Sequence, residues 1–107
     1  MPCPAGDSPL ACNIGAMNAT ERHQYNALTE KVLAAVEGRT ALPDGYALRI
    51  DRQRVSIAEI AKWIEFEQRC CPFFDFQLRL DRENGPVTLT LTGRKGVKEF
   101  LDAELKR

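Results

Sequence analysis

From Phe74 to Thr92 the chain alternates apolar and polar side chains twice. Phe74, Phe76, Leu78 and Leu80 alternate with polar residues, "DRENGP" turns the chain, and Val87, Leu89 and Leu91 then alternate with Thr88, Thr90 and Thr92. A period of two is that of a β-strand, so the stretch predicts a hairpin with one greasy face and one polar face. The greasy face needs cover, and the rest of the chain supplies it in helices.

Asn18 or Thr20 can cap a helix running to about Val36, with Tyr25, Leu28, Val32 and Val36 on one face and Gly38 as its terminator. "ALPDGYALRID" reads as a turn at Pro43 to Gly45 followed by a strand in which Tyr46, Leu48 and Ile50 face one way. Ser56 and Glu59 have the spacing of a capping box that opens a second helix, from Ile57 to about Cys70, and Pro72 stops it. A last helix over about Gly96 to Leu105 offers Val97, Phe100, Leu101 and Leu105. The expected order is α, β, α, β, β, α. This is an α+β domain with a three-stranded, mainly antiparallel sheet and helices on one face.

The first 17 residues carry three prolines and no periodicity, and read as an irregular arm before a single domain over 18–107. A chain of 107 residues can bury one modest core. Fifteen basic residues balance fifteen acidic ones with no block of like charge, which argues against a partner recognised through a basic surface, such as nucleic acid. No apolar run approaches the length of a membrane span, so no membrane partner is expected. The absence of Lys or Arg before Arg22, and of an apolar run of signal-peptide length, predicts a cytoplasmic location. The polar sheet face, with Arg49, Asp51, Gln77, Arg79 and the threonines, gives no case for a large apolar dimer patch. A homo-oligomer through the helices or the arm stays open.

In a reducing compartment clustered thiols point to metal or redox chemistry before disulfides. Two of the four cysteines are adjacent, in "EFEQRCCPFF". Glu67 lies three residues before Cys70 and four before Cys71, and such residues are neighbours on a helix surface, so the three converge at the helix end. The core stripe of this helix is expected along Ile57, Ile60, Ala61 and Ile64, with Cys71 on its edge and Cys70 on a less buried flank with Trp63. Only one of the two thiols would then be core. The negative end of the helix and the carboxylate both disfavour a lone thiolate, with Arg69 offsetting part of this, whereas a metal ion compensates all three groups.

Cys12, in the arm, is a candidate further ligand. Cys12, Glu67, Cys70 and Cys71 together suit zinc, copper(I), mercury or another thiophilic ion. Cys70 would make first contact and Cys71 close the chelate, for sequestration, delivery or sensing, and no catalysis is required.

Two other readings fit the same residues. Buried cysteine is common, so the pair could be packing in a plain interaction module. Alternatively Cys70 attacks and Cys71 or Cys12 resolves a disulfide, as in a thiol redox protein or enzyme. The only histidine, His23, falls on a polar helix face and completes no catalytic set. Cys3, between two prolines, reads as a frayed residue or an accessory ligand. "TGRKG" lacks the full phosphate-loop pattern and reads as a strand-to-helix turn.

"LACNIGAM", "ERHQY", "LPDGYALR", "EFEQRCCPFF" and "LTGRKGVKEFLDAEL" together resemble a family of small, uncharacterised bacterial proteins whose recognisable centre is an acidic helix running into Cys-Cys-Pro-Phe. The likeness covers most of the chain from Leu10 onward and implies a fold more than an activity. The adjacent pair is also similar, in that one respect, to the cysteine pair with which mercuric reductases capture Hg²⁺. No flavin or nicotinamide fingerprint accompanies it, so no nucleotide or flavin cofactor is expected.

Overall fold

The computed structural model describes residues 14–105. After a short 3-10 turn, Ile14–Ala16, come α1 (Ala19–Ala34), β1 (Val36–Leu42), β2 (Gly45–Ile50), α2 (Ile57–Cys70), β3 (Asp75–Leu80), β4 (Val87–Thr92) and α3 (Val97–Glu104). The α+β class is as expected, but the sheet has four strands, not three. Their order is β1-β2-β4-β3 and every pairing is antiparallel.

The additional strand, β1, occupies "VEGRTAL", where the end of the first helix was expected. Helix α1 stops at Ala34, and Gly38, expected as its terminator, lies inside the strand. No residue of β1 is fully buried. The strand therefore lacks the apolar alternation that reveals a strand in sequence. What forms it is its link to β2, a hairpin closed by the two residues Pro43 and Asp44. A bulge between Val36 and Gly38 adjusts the register beside the helix end.

The two helix starts follow local chemistry. Asn18 accepts from the backbone amide of Glu21, and Ser56 accepts from that of Glu59, at 2.8 and 3.0 Å. In each box the glutamate reaches back to the cap residue's own amide at 3.0 Å.

β4 sits between β2 and β3, so its inward side chains align in rows with both neighbours. Leu91 lies opposite Tyr46 and Phe76, Leu89 opposite Leu48 and Leu78, and Val87 opposite Ile50 and Leu80. The rows are best buried at the centre and open toward the β3 edge, where Leu80 is 48% exposed. The helices cover this face, and the threonines of β4 line the other. Because β2 and β3 are both antiparallel to β4, they run in the same direction, and α2 carries the chain between them.

Helices α1 and α2 lie antiparallel, pinned at both ends. Lys31 near the end of α1 meets Glu59 in the first turn of α2 at 2.6 Å, and Glu21 in the first turn of α1 meets Arg69 in the last turn of α2 at 2.7 Å. Each charge sits at the helix end whose dipole favours it. Between the pins, the Trp63 indole donates to Thr29 Oγ1 at 2.9 Å and that hydroxyl donates to the Tyr25 carbonyl at 2.8 Å. Met17, just after the 3-10 turn, is buried in the core. Among the described residues no helix is long and apolar enough to cross a membrane.

Gly45 marks the tightest approach in the sheet. A Cβ there would stand 1.9 Å from the Leu91 carbonyl oxygen, whereas one at Gly38 would meet nothing closer than the Arg49 Cβ at 3.8 Å. Gly45→Ala should therefore cost about 2–3 kcal/mol through forced separation of β2 from β4, while Gly38→Ala should stay within about 1 kcal/mol of wild type. Urea unfolding midpoints of the two variants check the contrast.

Candidate metal centre

Pro72 shapes the end of α2. Proline disfavours helical geometry in the residue before it, and Cys71 leaves the helix at φ −131° and ψ 69° while its amide still bonds to the Glu67 carbonyl at 2.6 Å. The departure carries the Cys71 thiol back toward that of Cys70, and the two Sγ atoms lie 3.7 Å apart. Glu67, Cys70 and Cys71 each present one ligand atom, all within 4.8 Å of one another. This is the convergence that the three- and four-residue spacing predicts.

The burial of the pair differs from expectation. Cys70 is 0% exposed and Cys71 1%, so both thiols are core, and Cys70 is not on a less buried flank from which it could make first contact. The stripe is rotated: Ile60, Trp63, Phe66, Glu67 and Cys70 are buried, Ile57 and Ile64 are half-buried, and Ala61 is exposed. The side chains that bury the most area decide which way a helix faces. Trp63 and Phe66 outweigh Ala61 and turn Cys70 inward.

Glu67 is itself 5% exposed. The Tyr25 hydroxyl, reaching across from α1, donates to its Oε1 at 2.5 Å, and Tyr25 stands edge-on to Phe66 with ring centroids 6.2 Å apart. Burial pushes the Glu67 carboxyl up to about 7, against the lowering influence of the Tyr25 hydroxyl, with the neighbouring Cys70 adding to the rise and a hydrogen bond from Cys71 opposing it. Arg69 does not neutralise the group. Its guanidinium is engaged by Glu21 and by the Ala16 carbonyl, the latter at 2.7 Å.

Tyr25 is the member of the site that the spacing argument omits. Its position on the buried face of α1 is the signal, since a buried phenol needs a hydrogen-bond partner. Cys12 and Cys3 lie outside the described residues. His23 is exposed, and "TGRKG" forms the turn from β4 into α3, with Gly96 at φ 98°. Phe73 is buried and packs edge-on against Phe74 and Phe100, holding the chain that leaves Pro72 against α3.

No protein-family model, no curated protein and no solved structure matches the chain. The site's chemistry therefore rests on its own geometry.

That geometry makes the metal-free protein sensitive to pH. The Glu67 carboxyl is raised from 4.5 to about 7 on folding, so between those values the folded chain holds a proton that the unfolded chain releases. The stability this proton contributes is fully present below about pH 4.5 and is lost as pH rises through about 7. The raised value corresponds to ~3 kcal/mol. Glu67→Gln, which keeps an acceptor for Tyr25, should therefore gain ~3 kcal/mol relative to wild type between pH 4 and 8. Urea unfolding in the presence of chelator across that range measures the difference, and a constant difference would contradict the buried carboxyl as its source.

Proposed function

We propose that the chain binds a thiophilic metal ion through Cys70, Cys71 and Glu67, with Cys12 as a candidate fourth ligand, in order to sequester, deliver or sense that ion. The observation that carries this reading is the buried Glu-Cys-Cys group, with its ligand atoms within 4.8 Å of one another. Two sulfurs bound to one tetrahedral Zn²⁺ at about 2.3 Å each are about 3.8 Å apart, close to the 3.7 Å between these two. A linear two-coordinate ion at similar bond lengths would require about 4.6 Å, and hence an opening of the pair. The spacing favours a tetrahedral, zinc-like ion over linear copper(I) or mercury.

Charge supports the same reading. A carboxyl and two thiols at the negative end of a helix gain little from ionising alone, and a divalent ion compensates all of them once their protons leave. A disulfide between the pair is the poorer use of these thiols. Adjacent residues in a trans linkage have Cα atoms about 3.8 Å apart, short of the roughly 4.4–6.8 Å that unstrained disulfides span. A role for the chain within the Cys-Cys-Pro-Phe family it resembles is part of this proposal.

Elemental analysis of protein purified under reducing conditions without chelator, followed by competitive Zn²⁺ titration, tests the reading. Wild type should hold close to one ion per chain, with affinity rising from pH 6 to 8 as the ligands lose their protons. The double variant Cys70→Ser, Cys71→Ser should lose at least roughly a hundredfold in affinity. Binding that is weak, or indifferent to the double substitution, sinks the metal site and returns the pair to the core.

A further inference from the structure

A small cavity of about 40 Å³ adjoins the cluster, between the sheet and all three helices and partly open to solvent. Leu33, Leu48, Leu91, Phe100 and Leu101 form apolar wall, and Glu67 and Cys71 line the same space. Of the residues that line it, Leu33, Phe74, Phe100, Glu104 and Leu105 are half-exposed. One water needs roughly 10–15 Å³ of such space, and a cavity that takes benzene has roughly 150 Å³. The cavity therefore suits a guest of one or two carbons and is too small for an aromatic ring. An inorganic ion held by the two sulfurs would leave it unfilled.

We propose, resting on the metal-site reading of the same residues, that Cys70 and Cys71 capture a trivalent metalloid bearing one short alkyl group, the class of CH₃As(OH)₂, with the alkyl group seated in this cavity. Two thiols condense with the two hydroxyls of the metalloid. Two As–S bonds form, two As–O bonds break, and each thiol proton leaves with a hydroxyl as water: R–As(OH)₂ + 2 Cys–SH → R–As(S–Cys)₂ + 2 H₂O. Arsenic stays trivalent throughout, so no oxidant or reductant is needed.

Three features of the site favour this class. Trivalent arsenic is pyramidal with bond angles a little narrower than tetrahedral, which asks the two sulfurs, 3.7 Å apart, to close slightly and not to open. The adduct carries no net charge, so it suits a site whose thiols are out of water. Its third substituent points away from both sulfurs, and the space beside Cys71 is mainly apolar, with Glu67 on one side, which rewards a carbon substituent against the leucines and Phe100 over a hydroxyl.

The test is calorimetric titration of the reduced full chain with arsenite, methylarsonous acid, phenylarsonous acid and, separately, Zn²⁺, using wild type and Leu33→Phe. The methyl compound is expected to bind wild type at least roughly tenfold more tightly than the phenyl compound. Leu33→Phe, which fills the cavity, should weaken the methyl compound roughly tenfold while leaving Zn²⁺ and arsenite within about twofold. If Zn²⁺ binds through the cysteines but methyl and phenyl compounds bind alike, or Leu33→Phe alters none of them, this inference is overturned and the metal site stands. If neither Zn²⁺ nor arsenite binds in a cysteine-dependent way, the metal site falls and takes the inference with it. Should Leu33→Phe fail to fold, the wild-type complex decides by itself: the arsenic-bound methyl protons should show nuclear Overhauser contacts to Leu33 and Phe100, and their absence overturns the proposal.

Discussion

Glu67 is the one acidic or basic side chain that the fold takes almost fully out of water among the described residues. A carboxyl in that position is costly as an anion unless something compensates it. The Tyr25 hydroxyl does so in part, and in doing so ties α1 to α2 beneath their exposed ion pairs. Replacing Glu67 and Tyr25 by apolar residues of similar shape would satisfy packing equally well. On the proposed reading, the pair beside two thiols serves ligand chemistry and not stability.

Pro72 has a second role that follows from its first. By ending α2 at Cys70 it lets Cys71 adopt non-helical angles, and this is what brings the sulfurs of two sequence neighbours to 3.7 Å. On a continued helix they would point about 100° apart. The chain leaving Pro72 is then fixed by Phe73 against Phe74 and Phe100, with ring centroids at 4.7 and 5.1 Å. The helix stop, the thiol pair and the aromatic cluster are thus one device spread over "RCCPFF".

Much of this was legible in the sequence, because the elements that build the site carry their own signals. The capping box at Ser56 and Glu59, the stop at Pro72 and the alternation of β4 each locate an element to within a residue or two. The convergence of Glu67, Cys70 and Cys71 follows from helical spacing alone. Strand β1 was not legible, since an edge strand with no fully buried residue has no apolar period and is defined only by its pairing with β2. The burial of Cys70 is not legible for a related reason: periodicity fixes which residues share a face, but the tertiary partner decides which face is inward, and here Trp63 and Phe66 set that choice by their bulk. The cavity beside Cys71 draws its walls from α1, β2, α2, β4 and α3 at once, and no local pattern encodes such a space.

The burial that makes the site dry also governs how it is loaded. Thiols exposed by 0% and 1% cannot meet an incoming ion without some opening of the fold. The half-exposed residues that line the cavity belong to α1, to the segment after Pro72 and to α3 with its C-terminal end, and α3 is short and starts at Gly96 without a side-chain cap. A helix lacking a cap and backed by one face of contacts is the element most readily displaced by local unfolding. Displacing α3 would uncover Phe100, Leu101 and the cavity next to Cys71, while leaving the α1–α2 pair and the Tyr25–Glu67 bond intact. On the proposed reading, an incoming ion would reach Cys71 and then Cys70 through this opening.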